Sequence, residues 1–225
     1  MVVAVWDELR VILTLLRDEE PSPLLQFPDP RDEQGQPPPY QITLAPSAGA
    51  VAADLHQRFR EAVVLTVGCL PYPPGRQPGR PAGRLNRQPP GELLDPSQVQ
   101  AGLDGPAAVR SGQTLRHALL VRNLTGQELT IATNGQVTAV VVDPRTGQVA
   151  GGFAGFQRMP GIYFRVAAGA TERIPLLIGT ASFVPDLGYT IPPGSWGIQI
   201  PLHLQRDLHT REPRLTPVLT LTITA

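Results

Sequence analysis

The 225-residue chain contains no lysine: its 19 basic side chains are all arginine. Bidentate anion binding would need those arginines gathered on one face, and the sequence does not gather them. They balance 19 acidic residues, so the formal charge is zero. The balance is uneven along the chain, with 5 Arg against 10 Asp/Glu over 1–70, 5 against 3 over 71–110 and 9 against 6 over 111–225. Segment charges of this size exclude a dedicated nucleic-acid protein. One cysteine, Cys69, excludes an intrachain disulfide and any metal site built on several thiolates. No apolar run approaches the roughly 20 residues of a membrane span, and Asp7 and Glu8 interrupt the N-terminal stretch at once. These absences lead to the expectation of a cytoplasmic protein.

What is abundant is turn chemistry: 26 Pro and 22 Gly, beside an apolar content of 41% that suffices for a core. Apolar residues at 5, 6, 9, 12, 13 and 16 predict an amphipathic helix over Ala4–Asp18, stopped by Pro21 and Pro23. A short strand, Tyr40–Leu44, precedes a helix of about 46–60, with Pro46 in its first turn and Val51, Leu55 and Phe59 as its stripe. Ala62–Leu70 then reads as a strand, so residues 1–70 form a small α+β unit. Between 71 and 110, nine Pro and six Gly break all periodicity, which predicts a Pro/Gly/Arg-rich linker. Its Arg76, Arg80, Arg84 and Arg87 do not hold one face of a three-residue polyproline turn, although Pro78–Pro81 fits a P-x-x-P ligand.

From 111 to 225 the period changes to two. Seven strands are expected: Leu115–Asn123, Glu128–Thr133, Gln136–Asp143, Ile162–Ala167, Thr171–Gly179, Ser195–Leu204 and Leu215–Thr224. Asn134-Gly135 suits a two-residue loop, and Pro217 suggests that the last strand is an edge. The predicted fold is therefore an α+β N-terminal unit followed by an all-β, immunoglobulin-like antiparallel β-sandwich.

A family likeness rests on these turns. Val121-Arg122-Asn123-Leu124-Thr125, Asn134-Gly135-Gln136 leading into Val140–Asp143, and Gly147-Gln148-Val149 carry its first part. Val166–Thr171 and Ile191-Pro192-Pro193-Gly194-Ser195-Trp196 carry the rest. Together they resemble bacterial immunoglobulin-like domains of the intracellular proteinase inhibitor type, over about half the chain. The resemblance implies a binding or inhibitory module and transfers no functional residue.

The chemistry-bearing residues form no recognisable motif. His56, His117, His203 and His209 lack metal-ligand or triad spacing, and Ser195 lacks the preceding glycine, with Pro193 in that place, and the following helix of a nucleophile elbow. Gly147–Gly155 has no lysine and leads into no helix, so it is no phosphate loop. No catalytic residue, cofactor or metal site is expected. The stronger candidates are two loops that carry aromatics, with Phe153, Phe156, Arg158 and Met159 in one and Phe183 and Tyr189 in the other. Aromatic anchors on loops dominate interface energies, so these six residues are the expected contact with another protein. They also suit caps folded over the ends of the core, which small sandwiches often need. The leading expectation is a non-enzymatic protein-binding module, either adaptor or inhibitor-like. A structural subunit joined through exposed edge strands is the first alternative, and a hydrolase with a site near His56 or His117 is the second.

Overall fold

The computed structural model describes residues 2–28, 38–73, 91–155, 161–205 and 211–225. Two helices open the fold: α1 (Val2–Arg17) and, after strands β1 (Leu24–Gln26) and β2 (Tyr40–Leu44), α2 (Gly49–Phe59). Strands β3 (Val63–Val67) and β4 (Leu70–Tyr72) complete a four-stranded sheet in the order β1-β2-β3-β4. Because α2 crosses between them, β2 and β3 run parallel, with Tyr40 opposite Val63 and Leu44 opposite Val67. Alternation then places Tyr40, Ile42 and Leu44 beside Val63, Leu65 and Val67 on one buried face. The helices cover that face with Trp6, Leu9 and Leu13 from α1 and Ala52, Leu55 and Phe59 from α2. The Trp6 and Tyr40 rings meet at 4.9 Å.

Three local expectations are corrected here. The middle helix starts at Gly49, and Pro46 lies in the turn before it, where the Ala48 N–H donates to the Ala45 carbonyl. Its buried row is Ala52, Leu55 and Phe59, which leaves Val51 half-buried beside it. The predicted strand over 62–70 is broken by Gly68, whose φ of 59° folds the chain into the β3–β4 hairpin with Val67 paired to Leu70.

The remaining strands build a two-sheet β-sandwich. In chain order they are β5 (Glu92–Leu93), β6 (Val99–Leu103), β7 (Ala108–Arg110), β8 (Thr114–Asn123), β9 (Leu129–Thr133), β10 (Val137–Val142) and β11 (Val149–Gly152). They continue as β12 (Ile162–Val166), β13 (Thr171–Gly179), β14 (Ala181–Ser182), β15 (Gly194–Gln199), β16 (Pro201–Gln205), β17 (Arg211–Leu215) and β18 (Leu219–Thr224). One sheet runs β6-β8-β13-β10-β15-β18-β7, with β11 and β14 attached beyond β10; the other runs β12-β9-β16-β17-β5. Leu119, Val121, Ile174, Leu176, Val141, Ile198 and Leu221 from the first meet Ile131, Val166 and Leu202 from the second in one buried cluster. Each such side chain contributes on the order of 1.5–3 kcal/mol by leaving water.

The sandwich differs from expectation in four ways. It is not wholly antiparallel, since β10–β13, β17–β5 and β18–β7 are parallel pairs. Residues 92–110 are not linker: β5, β6 and β7 pair with β17, β8 and β18, while residues 74–90, with the four linker arginines, lie outside the described residues. Asn134-Gly135 connects β9 to β10 in opposite sheets and makes no hairpin, with the Thr133 hydroxyl oxygen accepting the Gly135 N–H at 2.9 Å. Finally, β18 is flanked by β15 and β7 and is no edge; Pro217 lies in the connection between β17 and β18.

That connection lies beside a further departure. The predicted strand 195–204 divides at Ile200, where the chain passes from the β15 sheet to the β16 sheet. The chain from β17 to β18 makes the return passage beside it. The two crossings are bonded to each other: the Ile200 N–H donates to the Thr216 hydroxyl at 3.0 Å, and the Thr216 N–H donates to the Ile200 carbonyl at 3.1 Å. Thr216 is fully buried, so its hydroxyl satisfies a donor that water cannot reach.

Candidate functional site

A cleft of about 420 Å³ opens between the helix-covered sheet and the sandwich. Pro23, Pro46 and Val51 form one wall, and Phe153, Ala154 and Thr180 belong to the other. None of its lining residues is charged, and none is His or Cys. The serine and threonine hydroxyls that line it are partly committed. Ser22 Oγ donates to the Leu16 carbonyl at 3.1 Å, and Thr180 Oγ1 donates to the Gln113 carbonyl at 2.9 Å. The wall therefore carries no charge and mixes apolar residues with the hydroxyls of Ser47 and Thr114 and the Gln113 amide.

Its sandwich side forms where β13 and β11 both end alongside the same strand, β10. Leu176 to Ile178 pair with Val137 to Ala139, and Gly152 then takes the next place opposite Val140. The two chains come so close that a Cβ at Gly179 would lie 2.5 Å from Phe153 Cα and 2.7 Å from the Gly152 carbonyl oxygen. Only glycine fits such an approach. This close contact brings the base of the Phe153 loop into the cleft.

The six expected contact residues fare differently. Phe153 is half-buried, lines the cleft and turns its ring over Gly155. Phe156, Arg158 and Met159 lie outside the described residues. Phe183 is half-buried with its ring edge over Gly152, and its N–H donates to the Ala150 carbonyl at 2.9 Å. Tyr189 turns the other way: its ring stacks on Tyr72 at 6.2 Å, and its hydroxyl donates to the Pro71 carbonyl at 3.4 Å. Burial and the neighbouring Tyr72 raise its pKa above 10.0. Tyr189 thus ties the sandwich to the β3–β4 hairpin, a role that its turn-rich sequence context did not announce.

Most of the cleft was missed in the sequence. Its residues come from five stretches, 21–25, 45–51, 112–114, 152–155 and 179–181, and no local pattern relates them.

The histidines are dispersed. His56 on α2 meets the Tyr72 ring edge at 5.7 Å, His117 on β8 has Nε2 3.4 Å from the Pro106 carbonyl oxygen, and His203 is exposed on β16. His209 lies outside the described residues, among which no three His, Cys, Asp or Glu side chains could share a metal ion. Cys69, at the tip of the β3–β4 hairpin, is buried, and burial pushes its thiol up to about 12, leaving it protonated at neutral pH. No described helix is long and apolar enough to cross a membrane.

No family model matches the chain, and no curated protein matches it. Solved structures similar to it include the ASH/PapD-like domain of human CEP192, at 10% identity over 61% of this chain and 97% of that one, with a TM-score of 0.28. The CARDB domain of the PF1109 protein from Pyrococcus furiosus is similar at 11% identity over 63% and 97%, with a TM-score of 0.29. The sporulation control protein Spo0M from Bacillus subtilis is similar at 11% identity over 57% and 49%, with a TM-score of 0.30.

Proposed function

We propose that this protein is a non-enzymatic protein-binding module whose cleft takes an uncharged, extended segment of another protein. The observation that carries this reading is the cleft's chemistry: prolines, glycines, aliphatic and hydroxyl side chains, Gln113 and one phenylalanine, with no acid, base or thiol among them. General acid–base and nucleophilic catalysis need a titratable or activated side chain at the reacting atoms. An uncharged trough beside an aromatic loop instead supplies buried area and hydrogen-bonding groups, in which Phe153 is the anchor. The adaptor and inhibitor versions share this surface; the inhibitor version adds that the Phe153 loop enters a protease cleft without being cut.

The test is site-specific photo-crosslinking in the native host, with the crosslinking residue at Ala154 in the cleft wall or at Thr222 on the exposed face of β18. Position 154 should capture a discrete protein that position 222 does not, and Phe153→Ala should abolish that adduct. Identical adducts at both positions, or none at 154, would overturn the reading.

A further inference from the structure

The edges of the sandwich are finished unequally. β5 offers two residues and β7 three, and β12 carries an edge charge, Arg165, ion-paired with Glu128 at 4.0 Å. β6, at one end of the larger sheet, is Val99-Gln100-Ala101-Gly102-Leu103, with no charge, no proline and no register shift against β8. The chain on both sides of it, over 91–110, lies within the described residues.

Two hydrogen bonds fix which of its backbone groups face outward. The Leu124 N–H donates to the Gln98 carbonyl at 2.8 Å, and the Asp104 N–H donates to the Ala118 carbonyl at 3.1 Å. The even-numbered residues from 98 to 104 thus bond to β8, and Val99, Ala101 and Leu103 aim their N–H and carbonyl groups away from it. The Val99 N–H turns back to the Asp95 carbonyl at 2.9 Å; for Ala101 and Leu103 no described residue supplies a partner. Beside this edge lies a groove of about 270 Å³, lined by Val99, Gln100 and Ala101 together with Leu93, Leu94, Pro96 and Pro217. Leu93 in its wall is 61% exposed.

We propose that β6 is a second binding surface, which takes an extended strand of another protein, antiparallel, with apolar and acidic residues in alternation. The antiparallel form lets single guest residues exchange both bonds with Ala101 and with Leu103. Those guest residues share the face on which Val99, Ala101 and Leu103 pack against the core, so they are apolar and extend that row over the groove. The residues between them share the other face, with Gln100, Gly102 and Arg122, which stands opposite Gln100. Arg122 is exposed and has no ion-pair partner among the described residues. Nothing lies within 4 Å of where a Gly102 Cβ would be. An acidic guest side chain can therefore cross above Gly102 toward Arg122, about 10 Å or two strand spacings away. The two acids flanking β6 are already engaged: Asp95 accepts from the Ser97 N–H and hydroxyl, and Asp104 from Arg173 at 2.8 Å. The cleft shares no residue with this edge, so the two surfaces stand or fall separately.

The test uses the full chain and a labelled synthetic peptide of alternating valine and glutamate, followed by fluorescence anisotropy. The peptide should bind with a Kd below about 1 mM, and its counterpart with arginine for glutamate about tenfold more weakly. Arg122→Glu should reverse that preference. Methylating the valine nitrogens, which face β6, should abolish binding, whereas methylating the glutamate nitrogens should leave it intact. Ala101→Pro removes an outward N–H and no bond to β8, and should weaken the peptide about tenfold or more with an unchanged circular dichroism spectrum. Should that variant fail to fold, Arg122→Glu, on the exposed face, and the methylated peptides still decide. Absence of binding by the valine–glutamate peptide overturns the proposal, as does binding indifferent to Arg122→Glu or to the position of methylation. A chain that dimerises in sedimentation and loses the dimer on Ala101→Pro also overturns it, since the occupant is then a second copy.

Discussion

The two halves of the molecule bury their sheets by different means. In the N-terminal half, one face of a four-stranded sheet is covered by two helices, and each element presents its apolar stripe within a few consecutive residues: Trp6, Leu9 and Leu13, then Ala52, Leu55 and Phe59. In the sandwich each sheet is the other's cover, and the chain must cross between layers to make them meet. The helical half therefore rests on local spacing, whereas the sandwich rests on a few positions where two distant backbones touch. Its most sensitive residues should accordingly be small or polar rather than large and apolar.

The strongest way to break that contrast is Gly179→Val. Its branched side chain has no room against Phe153 Cα and the Gly152 carbonyl, both backbone atoms that cannot swing aside. The expected loss is about 4 kcal/mol or a failure to fold, measured by urea denaturation, with Gly126→Val, in open space, nearly neutral. Next is Asn123→Ala. Asn123 is fully buried; its Nδ2 donates to the Gln127 and Val166 carbonyls at 2.7 and 2.9 Å, and its Oδ1 accepts from the Thr125 N–H and hydroxyl. Removing the amide strands those buried groups and should cost about 2–3 kcal/mol in the same assay.

The smallest effect sharpens the comparison by acting between the halves. Tyr189→Ala removes the stack on Tyr72 and the bond to Pro71, and should cost about 1–2 kcal/mol. Calorimetry should show a broadened transition, with the helix-covered sheet melting earlier than the sandwich. The pKa of Tyr189 is raised in the fold, so the neutral phenol is favoured there. Its contribution is intact below pH about 10, the ordinary value, and is lost as pH rises beyond it.

The contrast also governs what the sequence could reveal. The long strands β8 and β13 are legible because nine or ten residues repeat the alternation before a turn ends it. β5 and β7 were read as linker because they hold two and three residues among prolines and glycines. Their partners lie more than a hundred residues away, as Glu92 opposite Arg214 and Ala108 opposite Thr222 show. Pairing of that kind is enforced by the assembled sheet and leaves no local period. The single strand read over 195–204 keeps its inward row, Ile198, Ile200 and Leu202, across the division, so alternation alone could not show that it changes sheets. The cleft was legible only at Phe153, since an aromatic in a glycine-rich loop stands out and Pro23, Pro46 and Thr180 do not.

The crossing at Ile200 and Thr216 gives the two layers a shared thread. The covalent chain passes from layer to layer twice at one place, and the passages are clasped to each other by two backbone-anchored bonds. A nick in either passage would leave every strand inside its own sheet, with the other passage still joining them at this place. The layers are thereby fixed in their mutual slide, as two plates are by a rivet with a second beside it.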